Sequence, residues 1–198
     1  MENWRPLSLS FNPLFALNWH LSKRRQGDAV YPYLLKDFPP QKPHDCWSVD
    51  ITYLKISTGF VYLTALIDVF SRHVMGWHLS PYLDTDSCLK ALEMAIGTGF
   101  KPKIINSDQG CQFTSQEWAY NLSLLRIKIS MDGKGRALDN VFVERLWRSV
   151  KYEDIYPKGY EGLKEVRQGL KKYFEFYNER RPHQGLGYQT PAEVYFKK

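Results

Sequence analysis

Cysteine is scarce in this 198-residue chain, and the three present, Cys46, Cys88 and Cys111, include no C-x-x-C pair. That scatter excludes a paired zinc chelate and a dithiol redox centre, and the three read as reduced thiols of a cytosolic protein. The five histidines lack zinc spacing as well. No apolar run approaches the roughly 20 residues of a membrane span, so no membrane contact is expected. The basic cluster Lys23-Arg24-Arg25 follows an apolar stretch instead of preceding it, which excludes a secretory signal. Gly133-Lys134-Gly135 lacks the spacing and the Ser/Thr of a nucleotide-binding loop, so ATP is not implied. Internal repeats and low-complexity tracts are also missing.

What is present supports one domain of ordinary size with extensions. A content of 43% hydrophobic and 15% aromatic residues can build a core, which excludes a wholly disordered chain. The formal net charge of +6 lies entirely in the last third: residues 1–125 carry 11 Lys/Arg against 11 Asp/Glu, and residues 126–198 carry 16 against 10. A positive field on one segment suits a polyanion such as DNA, because phosphates attract Lys and Arg whatever the base sequence. A solvated basic face explains the charge alone equally well.

Residues 1–40 show no sustained periodicity and end in Phe38-Pro39-Pro40, so they read as an irregular arm. From Cys46 the pattern alternates, with Trp47, Val49, Ile51 and Tyr53 on one side and Ser48, Asp50, Thr52 and Leu54 on the other, which predicts a strand. A turn at Ser57-Thr58-Gly59 leads to β-rich runs over 60–70 and 73–79, an antiparallel meander by the shortness of its links. There follow a helix over 86–96, a strand over 103–107, a helix opened by the capping box Thr114-x-x-Glu117 and running through Leu125, and a strand over 126–130. Strand, helix, strand implies a parallel crossover.

Residues 131–138 read as a mobile loop, after which Asp139 or Asn140 caps a helix whose apolar side is Val143, Leu146, Trp147 and Val150. A long helix over 161–177 carries the stripe Leu163, Val166, Leu170, Phe174 and Tyr177, and Thr190-Pro191-Ala192-Glu193 opens a short last helix. The expected organisation is an arm over 1–40, an α/β catalytic core over 41–160 and a helical extension of that core over 161–198.

The candidate chemistry rests on where three carboxylates fall. Asp50 lies mid-strand, Asp108 at the end of the fourth strand and Glu144 early on a helix. A charge on a central strand is costly to bury unless it is paired or binds a cation. Two such Asp residues and a Glu projecting from a helix can converge on one cleft, where repulsion would raise their proton affinity unless divalent ions neutralised them. Hard oxygen ligands with open positions suit Mg²⁺ or Mn²⁺, and two ions about 4 Å apart stabilise the entering and leaving oxygens of a phosphodiester displacement. Arg148 and Lys151 lie four and seven residues beyond Glu144, on nearly the same helix face. Such a stripe could hold metal at one end and a DNA backbone along the rest; a solvated Glu-Arg pair is the plainer reading. Arg145, with Lys134 and Arg136 in the preceding loop, completes the basic set assigned to DNA.

Three runs then stand out: Trp47-Ser48-Val49-Asp50-Ile51-Thr52-Tyr53, Asn106-Ser107-Asp108-Gln109-Gly110-Cys111-Gln112-Phe113 and Asp139-Asn140-Val141-Phe142-Val143-Glu144-Arg145-Leu146-Trp147. Ile67-Asp68-Val69-Phe70-Ser71-Arg72, Tyr177-Asn178-Glu179-Arg180-Arg181-Pro182-His183 and Thr190-Pro191-Ala192-Glu193 accompany them in order. Together they resemble the integrase-core transposases of insertion sequence family three, over about residues 31–195, with the 35 residues between Asp108 and Glu144 that the family's catalytic signature requires.

The resemblance implies a ribonuclease-H-like α/β fold, a mixed five-stranded sheet of three antiparallel strands joined by two parallel ones, with flanking helices. It makes Asp50, Asp108 and Glu144 the ligands of two Mg²⁺ or Mn²⁺ ions and Lys151 a contact to the element's terminal DNA. It further implies nicking by water and then attack of the freed 3′ hydroxyl on a second phosphodiester, without a covalent protein intermediate. A homo-oligomer on DNA and an upstream-frame protein supplying a helix-turn-helix are the expected partners. Residues 1–28 match neither that motif nor a heptad zipper, which reads as a truncated copy or an alternative start, and the zinc-binding domain of retroviral integrases is not expected. Two rivals remain: a nuclease of the same fold that cuts without joining, and an idle fragment that only binds DNA or poisons a full-length transposase. Asp68 reads as a structural acceptor, Asp45, Asp84, Asp86, Asp132 and Asp139 as turn or cap residues, and His183, beside Arg181, as a residue that could contact DNA but more plainly reads as structural or solvent-facing.

Overall fold

A computed structural model describes residues 29–133 and 141–197. Five strands, β1 (Cys46–Ile56), β2 (Gly59–Asp68), β3 (Val74–Ser80), β4 (Ile104–Ser107) and β5 (Lys128–Met131), form one sheet in the order β3-β2-β1-β4-β5. The first three pair antiparallel, and β4 and β5 continue the sheet in parallel from the other edge of β1. The alternating run that contains Asp50 is therefore the central strand. Short links gave the hairpins, and the helical crossovers after β3 and β4 gave the parallel half.

The two faces of the sheet bury separate clusters. On one face, α1 (Thr85–Ile96) and α2 (Gln116–Leu124) cover Trp47, Val49 and Ile105 with Cys88, Ala91, Trp118 and Leu122. On the other, α3 (Val141–Ser149) and α5 (Leu163–Glu179) cover Leu54, Leu63, Ala65 and Ile67 with Val143, Leu146, Trp147, Val166, Leu170 and Phe174. Helix α3 runs on through a π-helical stretch, Val150–Ile155, into the short α4 (Tyr156–Lys158). The side of β1 that reads as polar in the sequence is thus roofed by α3. A short α6 (Pro191–Tyr195) closes the described chain, opened by the expected capping box: Thr190 N–H donates to Glu193 Oε2 at 2.7 Å and Glu193 N–H to Thr190 Oγ1 at 3.2 Å.

Two boundaries differ from expectation for local reasons. Ser115, not Thr114, caps α2, accepting from Trp118 N–H at 3.2 Å, because Thr114 Oγ1 donates back to the Gly110 carbonyl at 3.2 Å in the preceding turn. Strand β5 starts at Lys128, since Arg126 takes a left-handed φ of 56° and its N–H ends α2 on the Ser123 carbonyl. The expected cap at Asp139 or Asn140 and most of the 131–138 loop lie outside the described residues. Of the arm, residues 31–34 run beside β5, where Leu34 N–H donates to Ser130 Oγ at 3.0 Å and Met131 N–H to the Pro32 carbonyl at 3.4 Å. Among the described residues no helix is long and apolar enough to cross a membrane.

Gly76 lets α1 lie directly on β3: a Cβ there would stand 2.5 Å from the Ala91 carbonyl oxygen and 2.6 Å from the Ala95 nitrogen. Both are backbone atoms, so the helix itself would have to move. Gly76→Ala should cost about 2 kcal/mol, the scale of overpacking a tight core. A urea melt with unchanged midpoint would show that α1 packs more loosely than this.

Candidate active site

Asp50 stands opposite Ala65 on β1, and on the other side β4 runs parallel with Asn106 beside Ser48. Continuing that register by two residues sets Asp108, the first residue past β4, level with Asp50 on the neighbouring strand. The Asp50 carboxylate is half-buried under α3, and Trp147 Nε1 donates to its Oδ2 at 2.8 Å. Burial pushes this carboxyl up to about 6; the Trp147 indole and the Ile51 N–H act against the rise, and the charges of Asp108 and Glu144 add to it. Asp108 and Glu144 therefore lie within electrostatic reach of Asp50, and both are exposed.

The loop after β4 is held firmly. Asp108 Oδ1 accepts from Gly110 N–H at 2.8 Å, and any Cβ on Gly110 would stand 2.9 Å from that same oxygen. Behind it, Ser130 Oγ donates to Asn106 Oδ1 at 2.7 Å, Asn106 Nδ2 to Asp132 Oδ1 at 2.7 Å, and Gln109 Nε2 to the Asp132 carbonyl at 2.9 Å. This polar ladder ties the ends of β4 and β5 together under Asp108. Among the described residues no three His, Cys, Asp or Glu side chains stand together as a ready cage for an ion. Each Asp carboxylate is instead turned to its own donor, Asp50 to Trp147 and Asp108 to Gly110.

The basic residues separate into two groups. Lys151, the second residue of the π-helical stretch, places Nζ 4.8 Å from the centre of the Tyr53 ring. Burial pulls its ammonium below the ordinary value while the Asp50 charge pulls the other way, so Lys151 belongs with the carboxylates. Arg145 and Arg148 instead line a cavity flanked by Arg72 and Arg181. Lys134 and Arg136 lie outside the described residues.

Sequence reasoning placed Trp147 in the apolar stripe of α3 and overlooked its indole donor. Spacing marks which face a residue occupies but not which of its atoms reaches across. A hydrogen bond to a charged acceptor contributes about 1.5–3 kcal/mol. Trp147→Phe should therefore shift the Asp50 titration upward by about one pH unit, read by carbon-detected NMR of the carboxyl. An unmoved titration would mean that the indole does not hold this carboxylate.

A mixed sheet of three antiparallel and two parallel strands, with acidic residues on the central strand, at the neighbouring strand end and on the helix above, defines the ribonuclease-H-like fold of integrase cores. Residues 40–137 match one integrase core domain family and residues 125–191 a second. The chain is 33% identical over 177 residues to transposase InsF for insertion sequence IS3A of Escherichia coli (strain K12), a match covering 87% of this chain and 62% of the relative. It is also 33% identical over 174 residues to the transposase for insertion sequence element IS904 of Lactococcus lactis subsp. lactis (strain IL1403), covering 86% and 69%. The chain belongs to the integrase-core transposases of insertion sequences. It spans about 62% of the length of the InsF relatives.

Solved structures agree on the fold. The HTLV-2 integrase catalytic core domain in complex with magnesium superposes with a TM-score of 0.64 at 22% identity, over 78% of this chain and 97% of that one. A chain of the simian T-cell lymphotropic virus intasome, in complex with a PP2A regulatory subunit, gives 0.70 at 19% identity, over 89% and 59%.

Proposed function

We propose that this chain is the catalytic core of a DNA transposase, which nicks phosphodiesters at insertion-sequence ends and transfers the freed strand, with Asp50, Asp108 and Glu144 holding divalent cations. The observation that carries the reading is the placement of Asp50 on the central strand, level with Asp108 past β4, under the Trp147 of the helix that also carries Glu144. Three carboxylates without thiolate or imidazole make a hard donor set, which fits two Mg²⁺ or Mn²⁺ ions. When bound, such ions activate the attacking hydroxyl and stabilise the charge of the displaced oxygen. The magnesium complex of the HTLV-2 core supports the same choice of metal.

The chain's own residues do the rest. The Trp147 indole fixes the orientation of Asp50, and the ladder under Asp108 fixes the height of the second carboxylate. Lys151, spread over Tyr53, supplies positive charge beside the acidic site, where a phosphate of the terminal DNA would sit. Arg145 and Arg148, with Lys134 and Arg136 as the sequence assigns them, engage the DNA backbone. The protein works on DNA as a homo-oligomer, a reading that the dimeric and trimeric forms of the HTLV-2 core support, with sequence readout supplied by an upstream-frame protein. It acts in the bacterial cytosol.

The test is incubation of the purified chain with supercoiled plasmid and Mg²⁺, scored for nicked circles and joined products. Nicks with joined strands are expected. Nicks alone would move the reading to a nuclease that cuts without joining, and neither product would leave a DNA-binding fragment.

A further inference from the structure

A second feature lies on the flank of α3, around a cavity of about 520 Å³. Four guanidinium groups from three parts of the chain line it: Arg72 from the turn between β2 and β3, Arg145 and Arg148 from α3, and Arg181 from the segment after α5. His183 and Gly185 close its rim. Arg181 is neutralised by Glu153, with Nη2 to Oε1 at 2.6 Å and Nε to Oε2 at 2.8 Å. Among the described residues Arg72, Arg145 and Arg148 have no ion pair.

Arg72 is the least expected of the four. Its guanidinium carbon lies 3.3 Å from the centre of the Phe142 ring, and its Nη1 is buried without a hydrogen-bond partner, as is Nε2 of His183. A half-buried guanidinium that stacks on an aromatic ring and leaves a buried donor unused is costly unless an anion supplies an acceptor. Burial draws Arg72 down to about 10, Tyr177 and Asp68 oppose that fall, and the charge of Arg145 adds to it. The four arginines thus line one cavity, and like charges gathered in one recess favour a polyanion.

A single small anion would need one enclosed recess. Here a second, open recess of about 360 Å³, lined also by Tyr152 and by the Glu153 that pairs with Arg181, shares Arg148, Ser149 and Arg181 with the first. The two form a track. It begins at Arg145, the residue next to Glu144, and reaches Arg148 one helical turn on, beside the helix that carries the acidic site.

We propose that the Arg72–Arg145–Arg148–Arg181 recess is a docking site for a phosphate of the DNA backbone, with the segment after α5 forming its outer wall. Guanidinium forks match phosphate oxygens two at a time, so the site would hold the strand at a set distance from Glu144 without reading its bases. This rests on the reading that the chain handles DNA. It adds Arg72, Arg181 and the loop around Gly185 to the residues that sequence assigned to that task.

Gly185 allows a clean test, because its backbone is not left-handed and nothing lies within 4 Å of where a Cβ would be. Gly185→Glu puts a carboxylate at the rim, and Gly185→Gln is its neutral counterpart. Gly162→Glu makes the same charge change at another open glycine, outside the recess. Binding of a fluorescent duplex is followed by anisotropy between about 50 and 200 mM salt, with thermal melts to confirm folding. Gly185→Glu should weaken binding about tenfold and lower the salt slope by about one, Gly185→Gln should weaken it several-fold less and leave the salt slope unchanged, and Gly162→Glu should stay within about twofold. Adding Arg148→Gln to Gly185→Glu should cost less than the sum of the two single losses, since both act on one phosphate.

Equal effects of Gly185→Glu and Gly162→Glu would overturn the docking site while leaving DNA binding intact. A wild-type chain that binds no duplex would overturn the DNA reading itself. A parallel titration with inorganic phosphate separates the sources: phosphate that raises the wild-type melting temperature but not that of Gly185→Glu, with duplex binding equal in both, would make this a small-anion site and sink the proposal.

Discussion

Glu144→Gln should lower nicking and joining by about a thousandfold or more while leaving DNA affinity within about twofold, since a lost metal ligand costs several kcal/mol of transition-state stabilisation. The substitution keeps the size and shape of the side chain while removing its charge and replacing one acceptor oxygen by an NH₂ donor, which cannot bind a cation. Glu144 is exposed on the first turn of α3, so no packing is lost and the melting temperature should hold. Plasmid cleavage and duplex anisotropy on the same preparation separate the two quantities. A Gln variant that cleaves at the wild-type rate in Mg²⁺ would remove Glu144 from the reaction.

The second large effect is on stability, at Asp68, which is fully buried. Its Oδ2 accepts from His44 N–H at 2.8 Å, and its Oδ1 accepts from Ser71 N–H at 2.8 Å and Ser71 Oγ at 2.7 Å. The backbone closes the same turn, Arg72 N–H donating to the Asp68 carbonyl at 2.8 Å. Asp68→Ala would strand three donors in the interior at about 1–3 kcal/mol each, partly relieved by water. The expected loss is about 4 kcal/mol, a fall in melting temperature of about 10 °C. It would also loosen the turn that carries Arg72, so duplex binding should weaken together with stability. An Asp68→Ala protein as stable as wild type but inactive in Mg²⁺ would move this residue from the turn to the catalytic site.

Much of the fold was legible because local patterns and global packing agree. The period-two run at Trp47 to Tyr53 is a strand, the stripe Val166, Leu170 and Phe174 is a buried helix face, and the Thr190 to Glu193 box forms as written. Thr114 misled because two adjacent hydroxyl residues compete for one cap. The preceding turn took Thr114 and left the helix to Ser115. The π-helical stretch after Ser149 left no such trace, because it differs from an α-helix only in which carbonyl each N–H meets.

The sequence by itself determined which carboxylates are candidates, since a charge inside an alternating β run and a Glu on an amphipathic helix are visible in the order of residues. It also determined the family, through six motifs in series. Only the tertiary structure decided what surrounds them. The Trp147 indole on Asp50, Lys151 over Tyr53, and the meeting of Arg72 with Arg148 and Arg181 join residues 76 to 109 positions apart in the chain, which spacing within one element does not reveal. Periodicity reports the face of an element. Which atoms from distant elements share one recess depends on how the sheet's register and the helix crossings bring those faces together.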